Sequence, residues 1–171
     1  CNQNLEVKSL VRRATMAFGG RNVSFVAPGL YETKEKAEKL KKQPGFEEVF
    51  KLFEKITIAV SGLGSFYPNF DSLLARSNFL SEEEIASLRG KDAYTDLSLR
   101  FIDKDGQECE TSLKDRTLAI DLDVYRKIPC KVVMASGSQK AHSVLAILKG
   151  NLADVLIIDY HLAEKLMGLL K

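Results

Sequence analysis

The last third of the chain repeats one order of elements, and that order restricts the fold more than any other feature. Lys131 to Ala135 form an apolar run of strand length. Ser136-Gly137-Ser138-Gln139 make a turn, and Ala141, Val144, Leu145 and Leu148 form an apolar stripe that closes at Gly150. Asp154 to Ile158 are a second run, and Leu162, Leu166 and Leu169 a second stripe. Consecutive strands joined through a helix pair in parallel by right-handed crossovers. The predicted fold class is therefore α/β, a mostly parallel sheet flanked by helices.

The earlier part of the chain fits that class. Leu10, Val11, Ala14 and Phe18 have helical spacing and stop at Gly19-Gly20, and Val23 to Ala27 read as a short strand ending at Pro28-Gly29. Thr33 can cap a helix that Pro44 interrupts, and Phe46, Val49, Phe50 and Phe53 make one face of the next. Ile56 to Val60 form a continuous apolar run, as in a buried parallel strand, emptying into Ser61-Gly62-Leu63-Gly64-Ser65. Ser81 and Glu84 are spaced as a capping box. Leu97, Leu99 and Phe101 alternate like a strand with one wet face, within a partly antiparallel insertion from Leu97 to Glu110. Asp103-Lys104-Asp105-Gly106 is a turn, Leu118 to Leu122 look extended, and Asp121 and Asp123 would cap a short helix over Val124 to Ile128.

Composition removes several function classes. With 171 residues the chain makes one ordinary domain. Its 25 basic and 23 acidic residues leave a net charge of +2, which excludes a polycation that coats nucleic acid. Lys34 to Lys42 alternate with Glu35 and Glu38 as a solvated helix face. Three cysteines (Cys1, Cys109, Cys130) without a C-x-x-C pair, and two histidines (His142, His161), give no disulfide framework or metal site, and no cofactor is expected. There is no apolar run near the ~20 residues of a membrane helix. The reading is a cytoplasmic protein without membrane contact. The chain starts at Cys1 and is read as a piece of something longer; a mature bacterial lipoprotein also begins at Cys and stays as an alternative.

Ligands bind open α/β sheets beyond the carboxyl ends of the strands. Three segments leave strands there: Ala27-Pro28-Gly29, Ser61 to Ser65, and Ser136 to Gln139 followed by Lys140. Gly137 lets the backbone approach a ligand closely. Lys140 would lie in the first turn of a helix, where a cation opposes the dipole unless an anion sits in the loop. Phosphate fits such a corner, and a solvent-exposed lysine beside an ordinary turn fits it equally. Ser61 to Ser65 lack the Lys-Ser/Thr of a Walker motif and the G-x-S-x-G of a hydrolase, so a tight turn is the simpler reading there. Alternation puts Asp96 on the face of Ser98 and Arg100, where it could accept from sugar hydroxyls or be a solvated charge.

Taken together, Ile58 to Ser65, Ser72 to Leu80, Tyr94-Thr95-Asp96, Phe101 to Gly106, Ile128-Pro129, Ala135 to Ala141 and Asp154 to Asp159 resemble the sugar-binding domain of SorC-type bacterial transcriptional regulators. The resemblance covers nearly the whole chain. It implies a three-layer fold similar to ribose-5-phosphate isomerase and glucosamine-6-phosphate deaminase, with residues 1–171 a partial effector domain whose first strands and helix-turn-helix are absent. It implies a phosphorylated sugar as effector, operator DNA contacted only through that missing helix-turn-helix, and a homo-oligomer, dimer or tetramer. The phosphate lysine matches Lys140 with Gly137 and Ser138, the acidic sugar contact matches Asp96, and Arg76 is the nearest match to a pocket arginine. Pro28, Gly62, Gly64 and Ser65 match rim segments. Departures are Thr95 before Asp96, Ser136 before Gly137, and Tyr160 after Asp159, where family members carry Gly, Gly and an acidic residue. No catalytic residue is expected; the alternative is an isomerase- or deaminase-like enzyme with Asp96 as general base.

Overall fold

In a computed structural model the described residues are 7–23, 27–70, 72–76 and 79–171. Helices α1 (Val7–Phe18), α2 (Lys34–Lys41) and α3 (Phe46–Phe53) lead into strand β1 (Ile58–Ser65). Helices α4 (Leu73–Arg76) and α5 (Glu82–Gly90) follow, then β2 (Ala93–Leu97) and β3 (Arg100–Asp103). Helices α6 (Ser112–Arg116) and α7 (Leu122–Arg126) precede β4 (Cys130–Ala135), α8 (Ala141–Lys149), β5 (Val155–Ile158) and α9 (Tyr160–Leu169). The strand expected at Val23 to Ala27 has residues 24–26 outside the described set.

Local chemistry sets several boundaries. The Thr33 hydroxyl accepts from Lys36 N, and α2 stops before Pro44. Ser81 and Glu84 satisfy each other's backbone amides at the start of α5, as their spacing predicts. The five strands lie in the order β3-β2-β1-β4-β5. β4 pairs in parallel with both β1 and β5. The β1–β2 and β2–β3 pairings are antiparallel, so the sheet is mixed, and the expectation of a mostly parallel sheet is corrected. The cause is a tight hairpin: Ser98 and Leu99 both have positive φ, +51° and +64°, the geometry of a two-residue turn matched to strand twist. The alternating run Leu97, Leu99, Phe101 therefore straddles a turn and is not one strand.

One sheet face carries the main core. Leu63, Leu97, Val133, Val144, Ile147 and Leu162 are buried there between the sheet and α8 and α9. A second cluster around Phe66, Leu88 and Phe101 packs below α5, with the Phe66 and Phe101 rings edge to face at 5.5 Å. The other face is open along β4, β5 and the first half of β1. Ile58, Val60, Met134 and Ile157 stand 63%, 64%, 48% and 53% exposed along neighbouring strands in register.

Arg100, placed by alternation beside Asp96, is buried instead. Its Nε donates to Ile120 O, Nη1 to Lys114 O and Glu108, and Nη2 to Ala119 O and Asp121. Each of its five N–H groups has an acceptor. Asp121 stands at the N-cap of α7 but makes no capping bond with its side chain, because its carboxylate is turned to Arg100 at 2.6 Å. This corrects the capping role expected of it.

Candidate ligand site

The segment Ser61 to Ser65, expected as a loop, is the second half of β1. Residues 58–62 pair with β4, and residues 63–65 pair with β2. The strand changes partner where the sheet changes from parallel to antiparallel. Gly62 and Gly64 fall on the open face, in line with Ile58 and Val60. They leave a bare floor at the carboxyl end of the strand.

Asp96 lies across this floor. It is paired with Gly64, and a methyl group built on Gly64 would stand 2.0 Å from Asp96 Oδ1 and 2.8 Å from Ser72 Oγ. The Ser72 hydroxyl donates to Asp96 Oδ1 at 3.2 Å. Burial pushes the Asp96 carboxyl up to about 6, with the Ser72 hydrogen bond and the positive charge of Lys140 pulling the other way.

Lys140 arrives from the far side of the floor. It closes a short 3-10 turn, Ser138–Lys140, and stands at the N-cap of α8, one position before the first turn in which it was expected. Its ammonium donates to Leu63 O at 3.1 Å, the carbonyl just past the end of the β1–β4 ladder. Two of its three N–H bonds remain for a ligand among the described residues. Gly137 has φ +97°, and the Gln139 side-chain amide folds against it, so a side chain at this position would meet both strain and overlap.

The loop is not an empty anion cradle. Gly137 N donates to Asp159 Oδ2 at 2.5 Å, and Asp159 Oδ1 accepts from Leu162 N at 3.1 Å. With Ser136 adding a third bond, these donors hold the Asp159 carboxyl at about 2. A phosphate arriving here would rely on Lys140, the Ser138 hydroxyl and the amides of Ser138 and Gln139, with Asp159 as a negative neighbour.

The remaining expected residues separate. Arg76 ends α4, the short helix that begins at the residue after Ser72. The Ser65 side chain points to the opposite face, where its hydroxyl meets Ser143 Oγ at 3.2 Å and donates to Tyr67 O. Pro28 is exposed beside a bridge between Leu30 and Thr117, and Gly29 packs under Leu99, away from the floor. A cleft of about 1030 Å³ also lies elsewhere, around Arg100, Glu108 and Asp121, and contains neither Asp96 nor Lys140. Its Glu108 and Asp121 pair with Arg100, while Lys34 pairs with Asp115, Lys41 with Glu38, Lys114 with Glu110 and Arg126 with Asp123. Spacing alone did not reveal Ser72, since its link to Asp96 exists only after β1 and β2 pair.

Comparison with known proteins gives a consistent result. The family described as "Putative sugar-binding domain" matches residues 2–168. The chain is 31% identical over 141 residues to the deoxyribonucleoside regulator of Bacillus subtilis, covering 82% of this chain and 44% of that protein. It is 28% identical to the transcriptional regulator LsrR of Klebsiella pneumoniae, covering 86% and 46%. The chain thus spans less than half the length of these curated relatives. Among solved structures, a transcriptional regulator from Streptococcus pneumoniae superposes with a TM-score of 0.87 at 27% identity, covering 95% of this chain and 62% of that one.

Proposed function

Because the chain belongs to the sugar-binding domain family of SorC-type transcriptional regulators, we propose that it is the effector-sensing part of such a regulator and that the effector is a phosphorylated sugar. The single observation behind this reading is the meeting of Asp96 and Lys140 over the side-chain-free floor of Gly62 and Gly64. A carboxylate fixed by Ser72 suits sugar hydroxyls, which need an acceptor held in place. An ammonium at the amino end of α8 suits a phosphate. In the full-length protein the ligand would bind one conformational state better than another and shift the population between them. That shift is how it would change self-association and operator binding.

The enzyme alternative needs an acid or base partner for Asp96. His142, the nearest histidine in sequence to Lys140, has its ring against Tyr67, which favours sensing over turnover.

The test is thermal unfolding of the chain with a panel of sugar phosphates, their neutral parents and inorganic phosphate. A ligand at 100 times its dissociation constant stabilises by about 2.7 kcal/mol. Protection by at least one sugar phosphate, and not by its neutral parent, is expected. A flat response across the panel overturns the reading.

A further inference from the structure

Ser143 is a polar residue on the buried face of an otherwise apolar helix. The other buried residues of α8 are Ala141, Val144, Ala146 and Ile147, and Ser143 is as deeply enclosed as they are, at 0% exposed. A hydroxyl costs free energy in such a place unless it is bonded, and an alanine would avoid that cost. The Ser143 hydroxyl donates to Tyr94 O at 3.0 Å and stands 3.2 Å from Ser65 Oγ.

That bond links the two halves of the candidate site. Ser143 is three residues after Lys140, the N-cap of α8, and Tyr94 is two residues before Asp96 on β2. It therefore joins the helix that carries the ammonium to the strand that carries the carboxylate. Tyr94 is also the extra residue of a bulge: Ala93 is opposite Asp103 on β3, and Thr95 is opposite Ile102. A bulge bends its strand and re-aims the side chains beside it. Here it is clamped, because the Tyr94 carbonyl also accepts from Phe66 N and Tyr67 N, at 3.0 and 3.2 Å. Beyond the bulge the strand is regular, and Asp96 pairs with Gly64 on one side and Phe101 on the other. The helix is thus fastened to β1 through Lys140 and Leu63 O, and to β2 through Ser143. The second fastening does not involve the ammonium, so it persists when a ligand engages Lys140.

We infer that Ser143 is a positioning residue, which fixes the separation between Lys140 and Asp96 by tying α8 to the Tyr94 bulge. This rests on the phosphosugar reading above and adds to it the residue that holds the two anchors at a set span. A ligand that touches both anchors gains from the second only when their spacing matches that of its hydroxyl and phosphate. Loosening the tie leaves each anchor chemically intact and blurs the span.

The experiment is a double-mutant cycle on the full chain. Calorimetric titration first finds the tightest ligand among ribose 5-phosphate, glucose 6-phosphate and fructose 6-phosphate. Its dissociation constant is then measured for Ser143→Ala, for Lys140→Met and for the two combined. Ser143→Ala is expected to weaken binding about 3- to 10-fold, near the range for losing one hydrogen bond. In the Lys140→Met background the same change should make almost no further difference, because one anchor is already gone and the span no longer matters. A merely structural role would give the same loss in both backgrounds. Equal losses, or no loss in either, overturn the inference and leave the phosphosugar reading standing. Failure of every ligand to bind the unmutated chain overturns that reading and the inference with it. If Lys140→Met leaves no measurable binding, Asp96→Ala serves as the second background with the same outcomes deciding. If Ser143→Ala does not fold, Ser143→Cys, close in bulk and a weak donor, takes its place in the cycle.

Discussion

The Ser72 hydroxyl bridges two parts of the chain, donating to Asp96 Oδ1 and accepting from Leu74 N, both at 3.2 Å. Asp96 is thereby tied to the start of α4 and kept over Gly64. The bond lowers the carboxyl's proton affinity, yet burial outweighs it and leaves a value of about 6.

Stability therefore depends on pH in a defined window. The folded chain holds the Asp96 proton more tightly than the unfolded chain, whose value is 3.8. The stabilising contribution is full below about pH 3.8 and is lost as pH rises through 6. The loss is on the order of 3 kcal/mol as an upper figure. Asp96→Asn should flatten stability between those limits and be more stable than the unmutated chain at pH 7. Asp159, held at about 2, acts in the opposite sense and below this window. Urea melts of the two proteins at several pH values check the difference, and parallel curves would refute the assignment.

Lys140→Met should weaken sugar phosphates about 10- to 100-fold, the range for losing a charge-assisted hydrogen bond. Neutral parent sugars should lose far less. Stability should fall by only about 1 kcal/mol, since one bond to Leu63 O disappears. Calorimetric titration of both ligand types separates these outcomes; equal losses would remove Lys140 from the phosphate role.

Gly64→Ala should cost about 1–3 kcal/mol, the range for forcing extra volume into a packed site. The methyl would overlap the Asp96 carboxylate, a short side chain on a paired strand with little room to retreat. Adding Asp96→Ala should recover most of the loss. A double variant no more stable than the single one would contradict the geometry.

Arg100→Met should destabilise by about 3–5 kcal/mol, because Glu108 and Asp121 lose their shared partner and three carbonyls lose a donor. Arg100→Lys should rescue little, since an ammonium cannot reproduce the planar fork. Chemical denaturation measures both, and it should show ligand affinity unchanged if Arg100 stands apart from the site.

Much of the fold was legible because periodicity and punctuation agreed. The repeat from Lys131 onward, the Thr33 and Ser81 caps and the break at Pro44 all appear where residue chemistry demands them. The failures share one cause, which is long-range pairing. Ser61 to Ser65 look like a glycine loop, and only pairing with β4 and then β2 makes them strand. Ser98-Leu99 lacks the glycine or asparagine that usually marks a tight hairpin, so alternation ran straight through it and misplaced Arg100. Asp96 and Lys140 were recognisable singly. That the charge of Lys140 reaches Asp96, and that Ser72 holds Asp96, depends on register. Asp159 was invisible as a competitor for the loop amide, since 22 residues separate it from Gly137.

Asp159 grips the Gly137 amide with one oxygen and the opening turn of α9 with the other. Neither bond survives unless loop and helix keep their spacing. The carboxylate works as a rigid coupling between the strand tops and the chain's final helix, whose Tyr160 and Met167 face outward, 74% and 58% exposed. Displacing the loop while α9 stayed in place would break one of the two bonds that this single short side chain makes.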